Sequence, residues 1–415
     1  MNNMAKIDEF QIFRELANEY KEICFSKHQK ELRELWRAHN SLEKTEVPVI
    51  CSWDEGSNLA ALLLRPELKC SDPRLARYEL FLRNSTYHNK MGDDWIYEPW
   101  LTIPAQKKYP KNSGLWGQIV EETRIGQAFI IKPVVKKIED IDSLIYTPYE
   151  IDETATAETV SFYEEALDGI LELCINRRPI YYGLGGSDIS LSLSELLGLE
   201  NMMIAMAEEP ELVHTLAAFL RDAILKQFRE GEESDCWTAC GGWWENQGTP
   251  YCKELPDPDP GKNYSSGKNL WTFMAAQEFT LISPQMHEEF MLQYQMPIME
   301  KFALVSYGCC ENLTTKINIL KKIPNLRKIS IAPTANVAKC AEQIEDKYVF
   351  AWRPNPAMVC ALFDSNTIHE QIRKGLEESK GCIVDIMLKD VSTVQNEPER
   401  LFKWVQIVKE EASRF

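Results

Sequence analysis

Apolar and polar positions along the chain follow two rhythms. Ile7, Phe10, Phe13, Leu16, Tyr20, Ile23, Leu32, Leu35 and Trp36 recur at helical spacing, which predicts one or two amphipathic helices over 7–38. Residues 47–53 form a short apolar run that ends in Asp54, Glu55 and Gly56, the pattern of a strand feeding a polar loop. A helical stretch follows at 73–87. Residues 92–127 are irregular and rich in prolines and aromatics, and read as an insertion. Further β-branched or aromatic runs predict strands at 129–131, 180–183, 236–237, 303–306, 329–331, 348–352 and 382–386. Helical spacing fills 157–175, 209–230, 284–300, 312–322, 337–344, 367–379 and 397–412.

Strands alternating with helices imply a parallel sheet, and eight such strands imply closure into a (β/α)8 TIM barrel. The expected organisation is an N-terminal helical extension over 1–45 and a barrel domain over 46–415, with lid insertions at 92–127 and 241–272. An open doubly wound sheet shares the alternation. However, Gly183, Gly185 and Gly186 miss the spacing of a dinucleotide fingerprint, and no Walker phosphate loop occurs.

Composition narrows the function classes. At 44% hydrophobic and 26% charged, the 415 residues can build an ample core. A net charge of -17 argues against nucleic acid as a partner, because phosphate tracking needs clustered Lys and Arg. The polar N-terminus lacks a signal core, and no run of about 18 apolar residues predicts a membrane span. Twelve cysteines without a secretory signal point to reduced thiols and a cytoplasmic location.

In a TIM barrel the chemistry gathers just after the strands. Here those positions hold Asp54, Asp188, Tyr307, Arg353 and Asn355, which are the candidate catalytic residues, together with Lys389. The most informative cluster is Tyr307-Gly308-Cys309-Cys310-Glu311. Two thiols and a carboxylate at one strand end offer soft and hard ligands for zinc, which could polarise the oxygen of a methyl ether. Glu278 and His287 are further candidate ligands; His287 also reads as a first-turn residue of a helix capped by Ser283. Cys309 and Cys310 read equally as small core residues. Trp53, Trp95, Trp243, Trp244 and Trp271, with Lys389, are candidates for holding a flat substrate, and the aromatics also read as lid core.

Several stretches together resemble the uroporphyrinogen-decarboxylase superfamily over roughly residues 45–410. They are Tyr182-Gly183-Leu184-Gly185-Gly186-Ser187-Asp188, Glu209-Pro210-Glu211-Leu212-Val213-His214, Leu281-Ile282-Ser283-Pro284-Gln285-Met286 and Trp352-Arg353-Pro354-Asn355-Pro356. Asp54 and Glu55 stand where the porphyrinogen decarboxylases carry an arginine-rich loop, so a polyanionic porphyrinogen is disfavoured. The chain is more similar to the branch of zinc methyltransferases that serve corrinoid proteins. Many of those have His-x-Cys where this sequence has Tyr307-Gly308-Cys309. The resemblance implies methyl transfer from a small donor, such as a methoxylated aromatic, to a corrinoid on a partner protein. It also implies zinc at Cys309, completed from Cys310, Glu311, Glu278 or His287. The wording of the motifs resembles long members in anaerobic bacteria similar to O-demethylase components; a homodimer is one compatible assembly. Two rivals stay open: a decarboxylase on a smaller acid, clamping it with Arg353 and Lys389, and a barrel that binds without catalysing.

Overall fold

The computed structural model describes residues 3–52, 68–110, 114, 116–119, 121–125 and 128–415. Its strands, in chain order, are β1 Val49–Cys51, β2 Trp100–Pro104, β3 Glu122–Ile125, β4 Ala128–Ile131, β5 Glu172–Asn176 and β6 Trp237–Thr238, then β7 Asn263–Tyr264, β8 Trp271–Met274, β9 Leu304–Tyr307, β10 Leu326–Ile331, β11 Val349–Trp352 and β12 Ile383–Leu388. Six of them form one parallel sheet in the order β1-β12-β11-β10-β9-β8. A separate parallel pair joins β2 to β5.

The sheet is curled, as its side chains demonstrate. Three strand spacings separate β9 from β12, about 14 Å in a flat sheet. Yet Lys389, directly after β12, places Nζ 3.4 Å from Sγ of Cys309, directly after β9. Only a concave face lets these two meet. Alternation along the strands decides which residues look into the concavity. In β10, Ile329 and Ile331 join the main apolar cluster while Lys328 and Ser330 point the other way. In β12, Val384, Ile386 and Leu388 join the same cluster, and Asp385 and Met387 face inward. The helices at Pro210–Glu232, Val337–Ile344, Ser365–Glu378 and Glu399–Ala412 cover the outer face.

Among the described residues, the long ladder stops at β1 and β8, and a complete eight-stranded closure is not formed. Side chains and short backbone contacts bridge the interval. The free edge of β1 is covered by 93–94: Asp94 Oδ2 accepts from Val49 N at 2.7 Å and Asp93 Oδ2 from Cys51 N at 2.9 Å. Beside β5, the Thr238 hydroxyl accepts from Arg177 N at 2.9 Å. The Tyr182 hydroxyl donates to the Trp271 carbonyl of β8 at 2.9 Å.

Several expected elements are corrected. Residues 180–183 lie in the irregular segment that follows β5, where the chain turns at Gly183 (φ +68°). The run 129–131 belongs to an antiparallel hairpin with β3, outside the parallel sheet. The helix expected over 157–175 ends at Leu167; Asp168 (φ 50°) and Gly169 break it, and 172–176 is strand β5. β2 lies inside the expected insertion, and β8 inside or beside the expected lid. The helix expected over 312–322 is reduced to Ile317–Leu320.

The N-terminal helices, Asn3–Cys24 and Lys27–Asn40, share the cores of the rest. Phe13, Ala17 and Tyr20 pack with Leu82, Leu101, Ile103 and Ala166. Trp36 packs with Ile50, Tyr251 and Met387 inside the concave sheet, and its ring N–H donates to Asp94 O at 2.7 Å. Among the described residues no helix is long and apolar enough to cross a membrane.

Candidate active site

At the C-terminal end of β9 the chain must turn sharply to present two cysteines. Gly308 permits this: its φ is +99°, and a Cβ there would meet Leu313 Cδ1 at 2.5 Å. The next residue but two locks the turn. Glu311, 1% exposed, accepts from Cys309 N at 2.8 Å through one oxygen and from Ala276 N at 2.9 Å through the other. Its carboxylate thus ties the ends of β9 and β8 together, one backbone N–H on each oxygen.

Cys309 is buried and Cys310 exposed, with their sulfurs 3.7 Å apart. Lys389 reaches them from the end of β12, its Nζ 3.4 Å from Cys309 Sγ, 3.1 Å from Cys310 Sγ and 2.8 Å from Asp390 Oδ2. A hydrogen bond from Cys309 and the ammonium together pull the Cys310 thiol below its usual range, against the effect of burial. The same hydrogen bond, with burial, holds Cys309 as the protonated partner. The pair therefore combines one acidic sulfur facing solvent with one buried donor behind it.

Behind Cys309 a polar chain runs down the concave face. Gln247 Nε2 donates to Cys309 Sγ at 3.4 Å, and its Oε1 accepts from Ser330 Oγ at 3.1 Å. Gln247 is completely buried and sits at φ 57°, a left-handed backbone rare for a non-glycine residue. Arg353 NH2 donates to the Gln247 carbonyl at 3.3 Å, and NH1 to Asp385 Oδ1 at 2.8 Å. Lys328 Nζ lies 2.8 Å and His39 Nε2 3.5 Å from the other oxygen of Asp385. Burial opposes ionisation of Asp385, but Lys328 and Arg353 override it and hold the carboxyl well below the usual range.

A second cluster lies on the outer, helix-covered face. Gln295 Nε2 donates to the carbonyls of Asp188 and Ala275 at 2.7 and 2.8 Å, which orients its oxygen as the acceptor for the Tyr307 hydroxyl at 2.8 Å. That hydroxyl has one proton to give, so His287 Nε2, 2.9 Å away, must be the donor to it. His287 thus carries a hydrogen on Nε2, and its unpartnered Nδ1 fits the neutral ring. Burial, reinforced by Lys316, agrees by pushing its pKa down to about 3. Asp188 sits one residue before Ile189, whose φ of 63° is unusual for a β-branched residue. Burial pushes the Asp188 carboxyl up to about 7, with Glu278 and Glu311 adding like charge.

The structure thus brings Cys309, Cys310, Glu311 and Lys389 together, with Arg353 reached through Gln247. It places Tyr307, His287 and Asp188 in the second cluster. The Glu278 carboxylate is half-buried, with Oε2 unpartnered. Asn355 is exposed and caps the short helix after it by accepting from Ala357 N at 2.9 Å. Trp271 is completely buried in β8, its N–H bound to Pro250 O at 3.0 Å. Trp95 is half-buried against His88, and Trp244 is exposed. Trp53, Asp54 and the Trp243 side chain lie outside the described residues. Gln247, Lys328, Asp385 and His39 were not singled out from sequence, although a carboxylate in an apolar strand, as in Ile383-Val384-Asp385-Ile386, is a signal of a buried ion pair.

A zinc ion fits this donor set poorly. Among the described residues no group of three His, Cys, Asp or Glu side chains is arranged to hold a metal ion. Glu311 is bound to two backbone N–H groups, His287 to Tyr307, and an ammonium already bridges the two sulfurs. The carboxylate clamp of a decarboxylase fares no better, because Arg353 has no exposed surface and is paired with Asp385.

No family model matches the chain, and no curated protein matches it. Among solved structures, a methyltransferase from Methanosarcina mazei superposes with a TM-score of 0.48 at 11% identity, over 92% of this chain and 98% of that one. At that distance neither activity nor ligand transfers.

Proposed function

We propose that the chain is a methyltransferase that works at the rim formed by Cys309, Cys310 and Lys389. The observation that carries this reading is the solvent-facing Cys310 sulfur held 3.1 Å from the Lys389 ammonium. The donor is a small methyl ether, a methoxylated aromatic among the candidates, and the acceptor a reduced corrinoid on a partner protein, as the sequence resemblance implies. An ether oxygen is a poor leaving group unless it gains a proton as the carbon–oxygen bond breaks. The proton that the Cys309–Cys310 pair keeps between its sulfurs is placed to pass through Cys310 to that oxygen. The methyl group moves to the acceptor, the alcohol or phenol leaves, and the thiolate left behind is paired with Lys389. Solvent then returns the proton.

The test is direct. Purified protein is mixed with methoxylated aromatics and free cob(I)alamin, and methyl–cobalt formation is followed by absorbance. Turnover should fall about 100-fold in Cys310→Ala, the usual worth of a lost proton donor. Absence of methyl–cobalt with every donor, or full activity in Cys310→Ala, would sink the reading.

A further inference from the structure

We infer that Lys389 takes the place of a metal at Cys309 and Cys310, so that the pair is a metal-free thiol centre with an ammonium as its counter-ion. Two thiolates on one tetrahedral zinc, with bonds of about 2.3 Å, lie about 3.8 Å apart. The sulfurs here are 3.7 Å apart. The backbone therefore sets them at the spacing of a shared cation, and the cation that bridges them is Lys389.

That ammonium is anchored. Its three N–H groups have three acceptors, Cys309 Sγ, Cys310 Sγ and Asp390 Oδ2, at 3.4, 3.1 and 2.8 Å. Its residue is 7% exposed and follows the completely buried Leu388 at the end of β12. A dication at the sulfurs would stand within a few ångströms of this fixed charge, where like charges repel strongly even with partial screening. The groups that would have to compensate are committed elsewhere. Glu311 clamps two strand ends, and His287 stands behind β9 on Tyr307. Replacing a dication by a single positive charge also changes the chemistry: one sulfur ionises at a time while the other keeps its proton and donates. The centre then acts as a proton donor and soft thiolate rather than a Lewis acid.

The inference deepens the proposed reaction at this site, but metal occupancy is measured without turnover, so the two can fail separately. Protein expressed with zinc supplied is dialysed and its zinc measured by mass spectrometry, beside wild-type-like Lys389→Arg and the charge-removing Lys389→Met. Wild type and Lys389→Arg should retain far less than one zinc per chain. Lys389→Met should bind zinc at least about tenfold more tightly. With chelator present, it should also lose about tenfold in the rate at which iodoacetamide labels Cys310, because the thiolate has lost its counter-ion. Stoichiometric zinc in the wild type, lost in Cys309→Ser, overturns the inference whatever the activity. If Lys389→Met does not fold, the zinc content of the wild type and the Cys309→Ser comparison still decide. Metal-free protein that fails to transfer methyl groups overturns only the proposed function.

Discussion

At the scale of single residues, the strongest constraint on the site lies one layer beneath it. Asp385 faces Lys328 and Arg353 at 2.8 Å each, and all three are buried. Removing one partner from a buried ionic group leaves an uncompensated charge, at a cost of roughly 3–5 kcal/mol. Asp385→Asn removes the only carboxylate this group has. Its urea midpoint should drop by that order, and the Cys310 labelling rate should change as well, because Arg353 also supports Gln247 behind Cys309. The pH dependence has a definite sign. The folded carboxyl titrates below its unfolded value of about 3.9, so its contribution is present above that pH and is lost as pH falls further. A midpoint in Asp385→Asn equal to that of the wild type at neutral pH would show that the ionic group stores no stability.

At the scale of elements, the helix Lys27–Asn40 meets the β2 region through a buried acid with the opposite sign. Glu98 accepts from Tyr251 at 3.0 Å and lies 3.8 Å from Arg33, with its other oxygen unpartnered. Burial outweighs Arg33 and pushes its pKa up to about 8. The folded state therefore holds a proton that the unfolded chain, with a pKa of about 4.3, has released. Stability from this group is complete below about pH 4.3 and is lost as pH rises toward 8, by at most about 1.4 kcal/mol per unit. Glu98→Gln mimics the protonated form, so its urea midpoint should decline less between pH 5 and 8 than that of the wild type, with Asp188 supplying part of what decline remains. Parallel declines in both proteins would assign the slope to other groups. The elements also explain what was legible in the sequence. β9 to β12 follow one another with a helix between each pair, and each is mostly apolar, so the rim residues after β9 and β12 were readable. β5 was not: only Cys174 is fully buried in Glu172–Asn176, and its apolar residues continue the spacing of the helix before it. The Tyr181-Tyr182 run has strand-like composition, but its rings serve other contacts; Tyr181 stacks on Trp116 at 4.4 Å. Gln247 was invisible because its role depends on a left-handed turn and on residues about 60 to 106 positions away.

At the scale of the whole molecule, the site rests on a floor supplied by the N-terminal helices. Trp36 fills the concave sheet from below, and His39 and Asn40 beside it contact Asp385, Thr249 and Tyr251. The 246–251 segment they hold carries Gln247, so the floor and the thiol pair are linked through one short stretch of chain. The helix Asn3–Cys24 covers a second apolar cluster that includes both β2 and helix Glu153–Leu167. Neither surface could face water without exposing large apolar areas. Residues 46–415 expressed alone should therefore lose cooperative urea unfolding and bind a hydrophobic dye. Trp36→Ala in the full chain should cost about 3–5 kcal/mol, the range for emptying a buried tryptophan site. The comparison separates the two roles. If the helices only cover surface, the truncated chain will aggregate but Trp36→Ala will keep the wild-type rate of Cys310 labelling. If they also position the rim, as the path through Asn40, Thr249 and Gln247 requires, that rate will shift in Trp36→Ala while the fold is still intact.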